Sequence, residues 1–350
     1  MRNKPSATVW VVVILGLLTL QAAASAQMPP VGIIDFYGLR HIPEQQARAA
    51  LQIQEGASVP DSEDAARLWM DAAKRRVRAL PAVKDVELNV VCCDAGRTIL
   101  YVGIVEAGAG TMTFARAPRG GVRLPDDVVR AGAALDDALM AAVVKGDAGE
   151  DDTHGHALSS NAAMRAVQEQ FIVFAARDEA TLRDVLAHSS DAAERALAAE
   201  VLGYLADKKR VVPALSAAMR DPDDSVRNNA MRALAVIAVY AAGKPQLGIR
   251  VPPEPFVDLL NSRFWTDRNK AAFALVELSQ TRDPKLLTAL HDRALTSLVE
   301  MARWKSRVHA SASVFILGRL AAMTDEAIAE AWARNDREIV VSAAGARRTK

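Results

Sequence analysis

Apolar residues recur at helical spacing through the C-terminal half of the sequence. Alanine stands three positions after each of four arginines, leucine or valine stands seven positions after, and leucine or isoleucine ten positions after. Offsets of three, seven and ten lie on one face of a helix, so the pattern predicts four helices that bury the same face. The four sets, in chain order, are Arg195, Ala198, Leu202 and Leu205; Arg227, Ala230, Leu234 and Ile237; Arg268, Ala271, Leu275 and Leu278; and Arg307, Ala310, Val314 and Leu317.

An apolar helix is also predicted before each of these four. Polar turns such as Asp221-Pro222-Asp223-Asp224 separate the two helices of a unit, so each unit is a helical hairpin. The hairpins recur at spacings of 32, 41 and 39 residues. The preceding helices carry matching apolar pairs, which are Leu186-Ala187, Ala218-Met219, Leu259-Leu260 and Leu298-Val299.

The segment VVPALSAAMRDPDDSVRNNAMRALAVI resembles HEAT repeats, including the Asp-Pro of the turn and the Val-Arg that opens the second helix. The resemblance implies an α-solenoid over residues 161–335, in which each hairpin covers its neighbour and the second helices line a concave surface for protein partners. Residues 336–350 are assigned to a C-terminal tail.

Residues 31–106 predict a small α/β module. Val31 to Tyr37 reads as a strand, two helices follow, the second beginning near Asp61, and the apolar period changes to two after Pro81. A turn at Asp94-Ala95-Gly96 then joins two strands into a hairpin. The second helix is expected to bury a stripe composed of Ala65, Leu68, Trp69, Ala72, Ala73 and Val77.

This module resembles a POTRA domain through the segments IIDFYGLRHIPEQQARAALQIQEG, RALPAVKDVELNV and TILYVGIVEAG. The resemblance rests on Gly38-Leu39 after the first strand, on Leu51 and Gly56 around the end of the first helix, and on the terminal Val105-Glu106. It implies a periplasmic module that binds polypeptides, often by pairing an exposed sheet edge with a client strand. The alternative is a structural domain without a ligand of its own.

Residues 107–160 separate the two domains. Glycine and proline interrupt the first part, which predicts an irregular linker, and a helix is expected from about Asp126 to Val144. The polar loop that follows carries Asp151, Asp152, His154 and His156, which are residue types that ligate divalent metals. Four ligands so close together on one glycine-containing loop rarely reach a metal's geometry, so a solvated loop is favoured, and no metal or cofactor is predicted.

Charge and composition narrow the class of protein. The 43 basic and 42 acidic residues leave a net charge of +1, which gives no global field to attract nucleic acid or an anionic membrane. Hydrophobic residues make up 51% of the chain and aromatic residues 5%. Together with helically spaced alanine, these values favour a mainly α protein, with a solenoid of HEAT-like hairpins after a small β-α-α-β-β module.

The first 26 residues have the organisation of a signal peptide. Arg2 and Lys4 precede an apolar run from Val9 to Leu20, and Ala24-Ser25-Ala26 supplies a cleavage signal. We therefore expect an exported, periplasmic protein. The alternative is an uncleaved anchor, and membrane contact is expected only through such an anchor or through a partner.

Cys92 and Cys93 are adjacent, and the chain has no other cysteine. In a strand their side chains point to opposite faces, which favours one buried and one exposed thiol. A vicinal or an intermolecular disulfide is the alternative.

A polar, partly basic row on the second helices is the predicted binding strip for a protein partner. It consists of Arg227, Asn228, Asn229, Asp267, Arg268, Asn269, Lys270, Trp304, Lys305 and Arg307. Trp265 and Trp304 are candidate aromatic anchors. The alternative is structural: the aligned arginines pair with turn aspartates of neighbouring repeats, and the tryptophans belong to the core.

These features predict a non-catalytic interaction scaffold whose partners are proteins, envelope proteins among them. One alternative is an assembly factor for outer-membrane proteins that binds client polypeptides through the POTRA-like module. Another is a lyase-type enzyme or a tetrapyrrole binder, since HEAT-like repeats also resemble those of phycobilin lyases. The sequence has no recognisable motif of nucleophile, base and orienting residue, which favours the scaffold.

Overall fold

The computed structural model describes residues 28–110, 112–145 and 149–346. Within these ranges the chain is mainly helical, with a small three-stranded α/β module followed by a helical repeat array, which confirms the predicted fold class. The predicted signal peptide, residues 1–26, lies outside the described residues.

The N-terminal module has the predicted order of elements. These are β1 (Val31–Tyr37), α1 (Glu44–Leu51), α2 (Glu63–Arg78), β2 (Val83–Asp94) and β3 (Arg97–Glu106). β3 is the central strand of the sheet; β1 pairs with it in parallel and β2 antiparallel, which leaves β1 and β2 at the edges. The β2–β3 turn at Ala95 and Gly96 has positive φ at both residues, as a tight hairpin requires.

The two faces of this sheet belong to different cores. Leu100, Val102 and Ile104 point toward α1 and α2 and pack in the module's own core. Ile99 and Tyr101, which alternate with them along β3, pack instead with the helical array. Because successive strand residues point to opposite faces, one strand joins the two halves of the molecule.

The buried stripe of α2 agrees with the prediction at Trp69, Ala72, Ala73 and Val77 and differs from it at Ala65 and Leu68. Ala65 and Leu68 are exposed, while Ala73 and Val77 are fully buried. Ala72 is half-buried, and the half-buried Ala66 and Trp69 continue the stripe toward the start of the helix. The stripe is therefore 66, 69, 73 and 77, and this spacing of three and four keeps its members on the side of α2 that faces the module core.

The two cysteines lie at the tip of the β2–β3 hairpin. A disulfide joins Cys92 to Cys93 across a cis peptide bond. Both residues are exposed, so the favoured expectation of one buried and one exposed thiol is wrong. The strand alternation on which that expectation depended is interrupted here, because the β2–β3 register shifts between Val91 and Asp94.

A connecting region of mixed structure leads from the module to the array. Residues 112–124, which we call the strap, contain no helix or strand, and α3 (Asp126–Lys145) follows at the predicted place. The predicted polar loop contains a two-stranded hairpin of β4 (Glu150–Asp151) and β5 (Leu158–Ser159).

The array consists of helical hairpins stacked along the chain. Its helices are α4 (Ala162–Arg177), α5 (Glu179–His188), α6 (Ala192–Leu202), α7 (Lys208–Ala218), α8 (Asp224–Gly243), α9 (Glu254–Leu259), α10 (Trp265–Leu278), α11 (Pro284–Ala302), α12 (Arg307–Leu320), α13 (Asp325–Ala333) and α14 (Arg337–Ala346), with a short 3-10 turn at Pro245–Leu247. The second helices α6, α8, α10, α12 and α14 pack in succession. Aspartates begin several of these helices: Asp191 accepts a hydrogen bond from the Glu194 N–H, and Asp223 accepts from Ser225 and Val226.

The aligned alanines have the environment that the repeat pattern requires. Ala198, Ala230, Ala271 and Ala310 have no exposed surface, and each lies in the second helix of its hairpin. A methyl group is the largest side chain that lets two helix backbones approach closely, so alanine at this position determines the distance between successive second helices.

The array contains a hairpin that the repeat pattern did not include. Helix α14 lies within residues 336–350, which the sequence analysis assigned to a tail, and it packs on α12 with Val340 and Ala344 buried. Val340 stands three positions after Arg337, where the other units have alanine. Because valine replaces alanine there, the repeat pattern did not identify the hairpin of α13 and α14 as a fifth unit.

Candidate functional site at the turn edge of the array

A buried ladder of arginine and aspartate joins the first three hairpins. Arg195 donates from Nε and Nη2 to the two carboxylate oxygens of Asp221 in the next hairpin, both at 2.9 Å. Arg227 makes the same two-pronged contact with Asp267, again at 2.9 Å. Each arginine also donates to carbonyl groups of its own turn, Arg195 to Ser189 and Arg227 to Asp221 and Pro222. Exposure of the two arginine side chains is 2% and 0%.

The ladder continues with different partners toward the C-terminus. Arg268 donates to Glu300 at 2.9 Å and to the carbonyl oxygen of Ser262. Arg307 is exposed, donates to the Trp332 carbonyl at 2.7 Å and lies over the Trp332 ring. The paired arginines therefore connect neighbouring repeats, as the structural alternative supposed, and a fork-shaped guanidinium suits this role because it binds both oxygens of a carboxylate at once.

The strap runs along the turns that join the two helices of each hairpin, a surface that we call the turn edge. The Ala115 N–H donates to the carbonyl of Arg220 at 2.7 Å, and Gly120 exchanges two hydrogen bonds of 2.8 Å with the turn between α5 and α6, donating to His188 and accepting from Ser190. At the end of the strap, Arg123 pairs with Glu194 at 2.6 Å. The Phe114 ring meets Phe264, just before α10. The strap thus crosses three hairpins in the direction opposite to the order of the repeats.

The sheet of the N-terminal module covers the next part of the turn edge. The Tyr101 ring stacks on Trp265 with centroids 5.3 Å apart and meets Trp304 at 4.9 Å, and its hydroxyl lies 2.7 Å from Nδ1 of His309. The Tyr37 hydroxyl donates to the carbonyl of Arg263 at 2.7 Å. Aromatic pairs and satisfied hydroxyls of this kind are typical of tightly packed protein interfaces.

Polar contacts surround this aromatic cluster. The Lys305 backbone N–H donates to the Asp35 carboxylate at 2.8 Å, and Lys305 Nζ donates to the Ile34 carbonyl at 3.0 Å. The Asn89 side-chain oxygen accepts from the backbone N–H of Trp265 at 3.0 Å. Burial lowers the pKa of His309 to about 4, so its ring is neutral at pH 7 and shares one hydrogen bond with Tyr101.

A polar patch on the second helices lies outside these contacts. Arg232 pairs with Glu150 of the β4–β5 hairpin, and Asn229 donates to the Ala196 carbonyl at 3.1 Å. Burial, with the charge of Arg232 beside it, lowers the pKa of Lys270, and burial raises the pKa of Glu200. In the part of the chain that the structure describes, Lys270 has no ion pair.

The predicted binding strip divides into two groups. Lys305 and Arg307 are exposed, and Asn228, Asn229 and Lys270 are half-buried. The other five are buried within the molecule, namely Arg227, Asp267, Arg268, Asn269 and Trp304. The two proposed aromatic anchors contact the protein's own tyrosine, and no signal in the sequence alone could connect Tyr101 with tryptophans more than 160 positions away.

The polar loop carries the candidate metal-ligating residues. Within residues 28–110, 112–145 and 149–346, no group of three or more histidine, cysteine or acidic side chains is arranged to bind a metal ion. His156 instead lies against the Tyr204 ring at 5.2 Å, and Asp151 accepts two hydrogen bonds from Thr153.

Across the same ranges, no helix has the length and apolar character needed to span a bilayer.

Residues 179–246 match the family model of HEAT repeats. The match covers the hairpins α5–α6 and α7–α8, which carry the first complete rung of the ladder, between Arg195 and Asp221. No curated protein matches the chain. HEAT repeats typically act as scaffolds for protein–protein interaction.

Proposed function

We propose that this HEAT-repeat protein is an exported, non-catalytic scaffold that binds a protein partner through the polar patch on its second helices. The patch consists of Asn229, Arg232 and Lys270. The observation that supports this proposal is the environment of Lys270. Within the described structure, it is the one member of the predicted strip that is both half-buried and charged without an ion-pair partner. A charge of this kind gains most from a carboxylate that arrives with a partner.

The test is recovery of a partner after crosslinking in cell envelopes. The Lys270→Glu variant should lose at least ten-fold of the recovered partner, because its charge opposes the carboxylate that the native lysine attracts. Lys285→Glu is the matched control, since Lys285 is exposed in the first turn of α11, away from the patch, and the same charge reversal there should leave recovery unchanged. If the Lys270→Glu and Lys285→Glu variants recovered equal amounts of the partner, the patch would not be its binding site.

A second candidate is binding of client polypeptides by the module. The β1 edge is occupied: Val31 pairs with residues 56 and 57, the Ile34 carbonyl accepts from Arg48 and Lys305, and the Gly38 N–H donates to Glu300. β2 is the other edge, and no described strand pairs with its outer side. A client strand would therefore add to β2, since free backbone groups are what such pairing needs.

Site-specific crosslinking separates this candidate from the scaffold alone. A photoreactive group attached at Lys84→Cys, in β2, should capture an unfolded outer-membrane-protein peptide, whereas the same group at Gln45→Cys, on an exposed part of α1, should not. Capture at both positions with similar yield would mean that the peptide adheres to the module without pairing with β2.

A further inference from the structure

We propose that the turn edge is a binding site for extended polypeptides, and that the strap occupies this site as an internal ligand. The inference deepens the proposed scaffold function, on which it rests, by assigning a second surface and the chemistry of the segment that it accepts. The site consists of the carbonyl groups of His188 and Arg220, the N–H of Ser190, the face of Arg227 and the carboxylate of Glu194.

Backbone hydrogen bonds give this edge its preference for an extended chain. The strap is neither helix nor strand, yet the turns of two successive hairpins bond to its main chain at Ala115 and Gly120. Hydrogen bonds to backbone groups are independent of side-chain identity, so they accept any extended segment that approaches closely enough.

Two positions of the strap determine which segments fit. The Phe114 ring lies over the Arg227 guanidinium, with Cζ 3.9 Å from the ring centroid, and it meets the edge of Phe264. A Cβ at Gly120 would stand 2.5 Å from the His188 carbonyl oxygen, so this position requires glycine. A fitting segment therefore has an aromatic residue and, six positions later, a glycine.

The end of the site adds a charge preference. Glu194 accepts from the Leu124 N–H at 2.7 Å and pairs with Arg123, while Asp191 lies 3.4 Å from the same arginine. A basic residue three positions after the glycine, followed by an apolar one, completes the segment. The complementary partner is a basic, extended polypeptide segment with one aromatic residue.

Most of the strap lies on the surface of the array. Leu124, at the end of the strap, is buried in the array core. Across residues 112–123 no described side chain is fully buried, and Met112, Phe114 and Val122 are half-buried against that core. By contrast, the ladder beneath it is closed to solvent, with Arg227 at 0% exposure. A segment whose side chains are mostly exposed or half-buried opens at a lower free-energy cost than the core does. If the strap left without a replacement, the buried Arg227–Asp267 pair beneath it would lose its cover. Exchange of the strap for another segment is therefore favoured over an empty turn edge.

The experiment compares two glycine variants of the full chain. Gly120→Val should release the strap because its side chain meets the His188 carbonyl, whereas a Cβ at Gly121 meets no atom within 4 Å, so Gly121→Val is the matched control. Binding of a fluorescent peptide of sequence MTFARAPRGGVRL, residues 112–124, is followed by anisotropy, and amide exchange at Ala115 and Gly120 reports the state of the strap. The Gly120→Val protein should bind the peptide at least ten-fold more tightly than the native and Gly121→Val proteins, because the internal ligand no longer competes.

Peptide variants and a second protein variant keep the test decisive. The peptide with valine in place of the first glycine should bind Gly120→Val at least ten-fold more weakly, and Phe114→Ala replaces Gly120→Val if the latter does not fold. Equal binding of the peptide to native and variant proteins, or continued amide protection of the strap in Gly120→Val, would overturn the inference. Recovery of an envelope partner through Lys270 would be unaffected by either result, so failure of this inference is distinguishable from failure of the proposed scaffold function.

Discussion

Lys208 is buried at the first position of α7, and it forms no ion pair with any carboxylate in the described parts of the chain. Its Nζ donates to the Gly203 carbonyl at 2.8 Å, and burial lowers the pKa of the ammonium group to about 8. A positive charge at a helix N-terminus is also unfavourable to the helix dipole. The folded protein therefore binds this proton less tightly than the unfolded chain does, and its free energy of unfolding should rise as the pH increases from about 8 toward the unfolded value near 10.5.

Replacing this lysine tests the sign of that effect. Lys208→Met should raise the free energy of unfolding at pH 7 by about 1–3 kcal/mol, since methionine fills the site without a charge to desolvate. The gain should shrink at pH 10, where the native lysine is already neutral in the folded state. Urea unfolding at both pH values measures it, and Lys209→Met, at the exposed neighbouring position, should show no such dependence on pH. An equal gain at pH 7 and pH 10 would contradict the burial argument.

At the scale of elements, the Arg227–Asp267 pair connects α8 to α10, with neither side chain exposed. Asp267 also accepts from the Ser262 hydroxyl at 2.6 Å, so it orders the turn before α10 as well. Removing one member of such a pair leaves the other charge buried without a partner.

Asp267→Ala should therefore lower the free energy of unfolding by about 3–5 kcal/mol. Asp64→Ala is the control: its ion pair with Arg67 is exposed, so the loss there should be below about 1 kcal/mol. The double variant Arg227→Met/Asp267→Leu should recover much of the lost stability, because no unpaired charge remains. If the double variant is no more stable than Asp267→Ala, the cost does not arise from an uncompensated arginine.

The same element scale shows what sequence periodicity can predict. The four alanine-anchored helices were predicted because each repeats one buried face at fixed offsets, and their alanines are indeed buried. The α2 stripe was predicted correctly from Trp69 to Val77 and wrongly at Ala65 and Leu68, because at the start of that helix apolar residues stand on both the buried and the exposed side. The fifth hairpin was missed because Val340 replaces the alanine on which the alignment depended.

At the scale of the whole molecule, periodicity has little predictive value. Residues 107–160 were predicted to separate two domains, and the aromatic and basic residues of the array were predicted to face a partner. Instead, Tyr37 and Tyr101 reach the array across more than 200 positions of sequence, to Arg263 and His309. The spacing of apolar residues shows which face of a helix or strand is buried, but not which distant residues it contacts. The alternation of Ile99 and Tyr101 with Leu100 and Val102 did indicate that both faces of β3 are apolar, which was the available sign that its second face is covered.

The position of the N-terminal half along the turn edge changes how the array can come apart. In a linear stack each repeat touches only its neighbours, so unfolding spreads from an end, one unit at a time. Here the strap and the sheet also touch hairpins that are not adjacent to them in the chain. Fraying at the C-terminal end would have to separate Trp304 from Tyr37 and Tyr101 as well as from its own stack, which couples that end to the first strand of the protein.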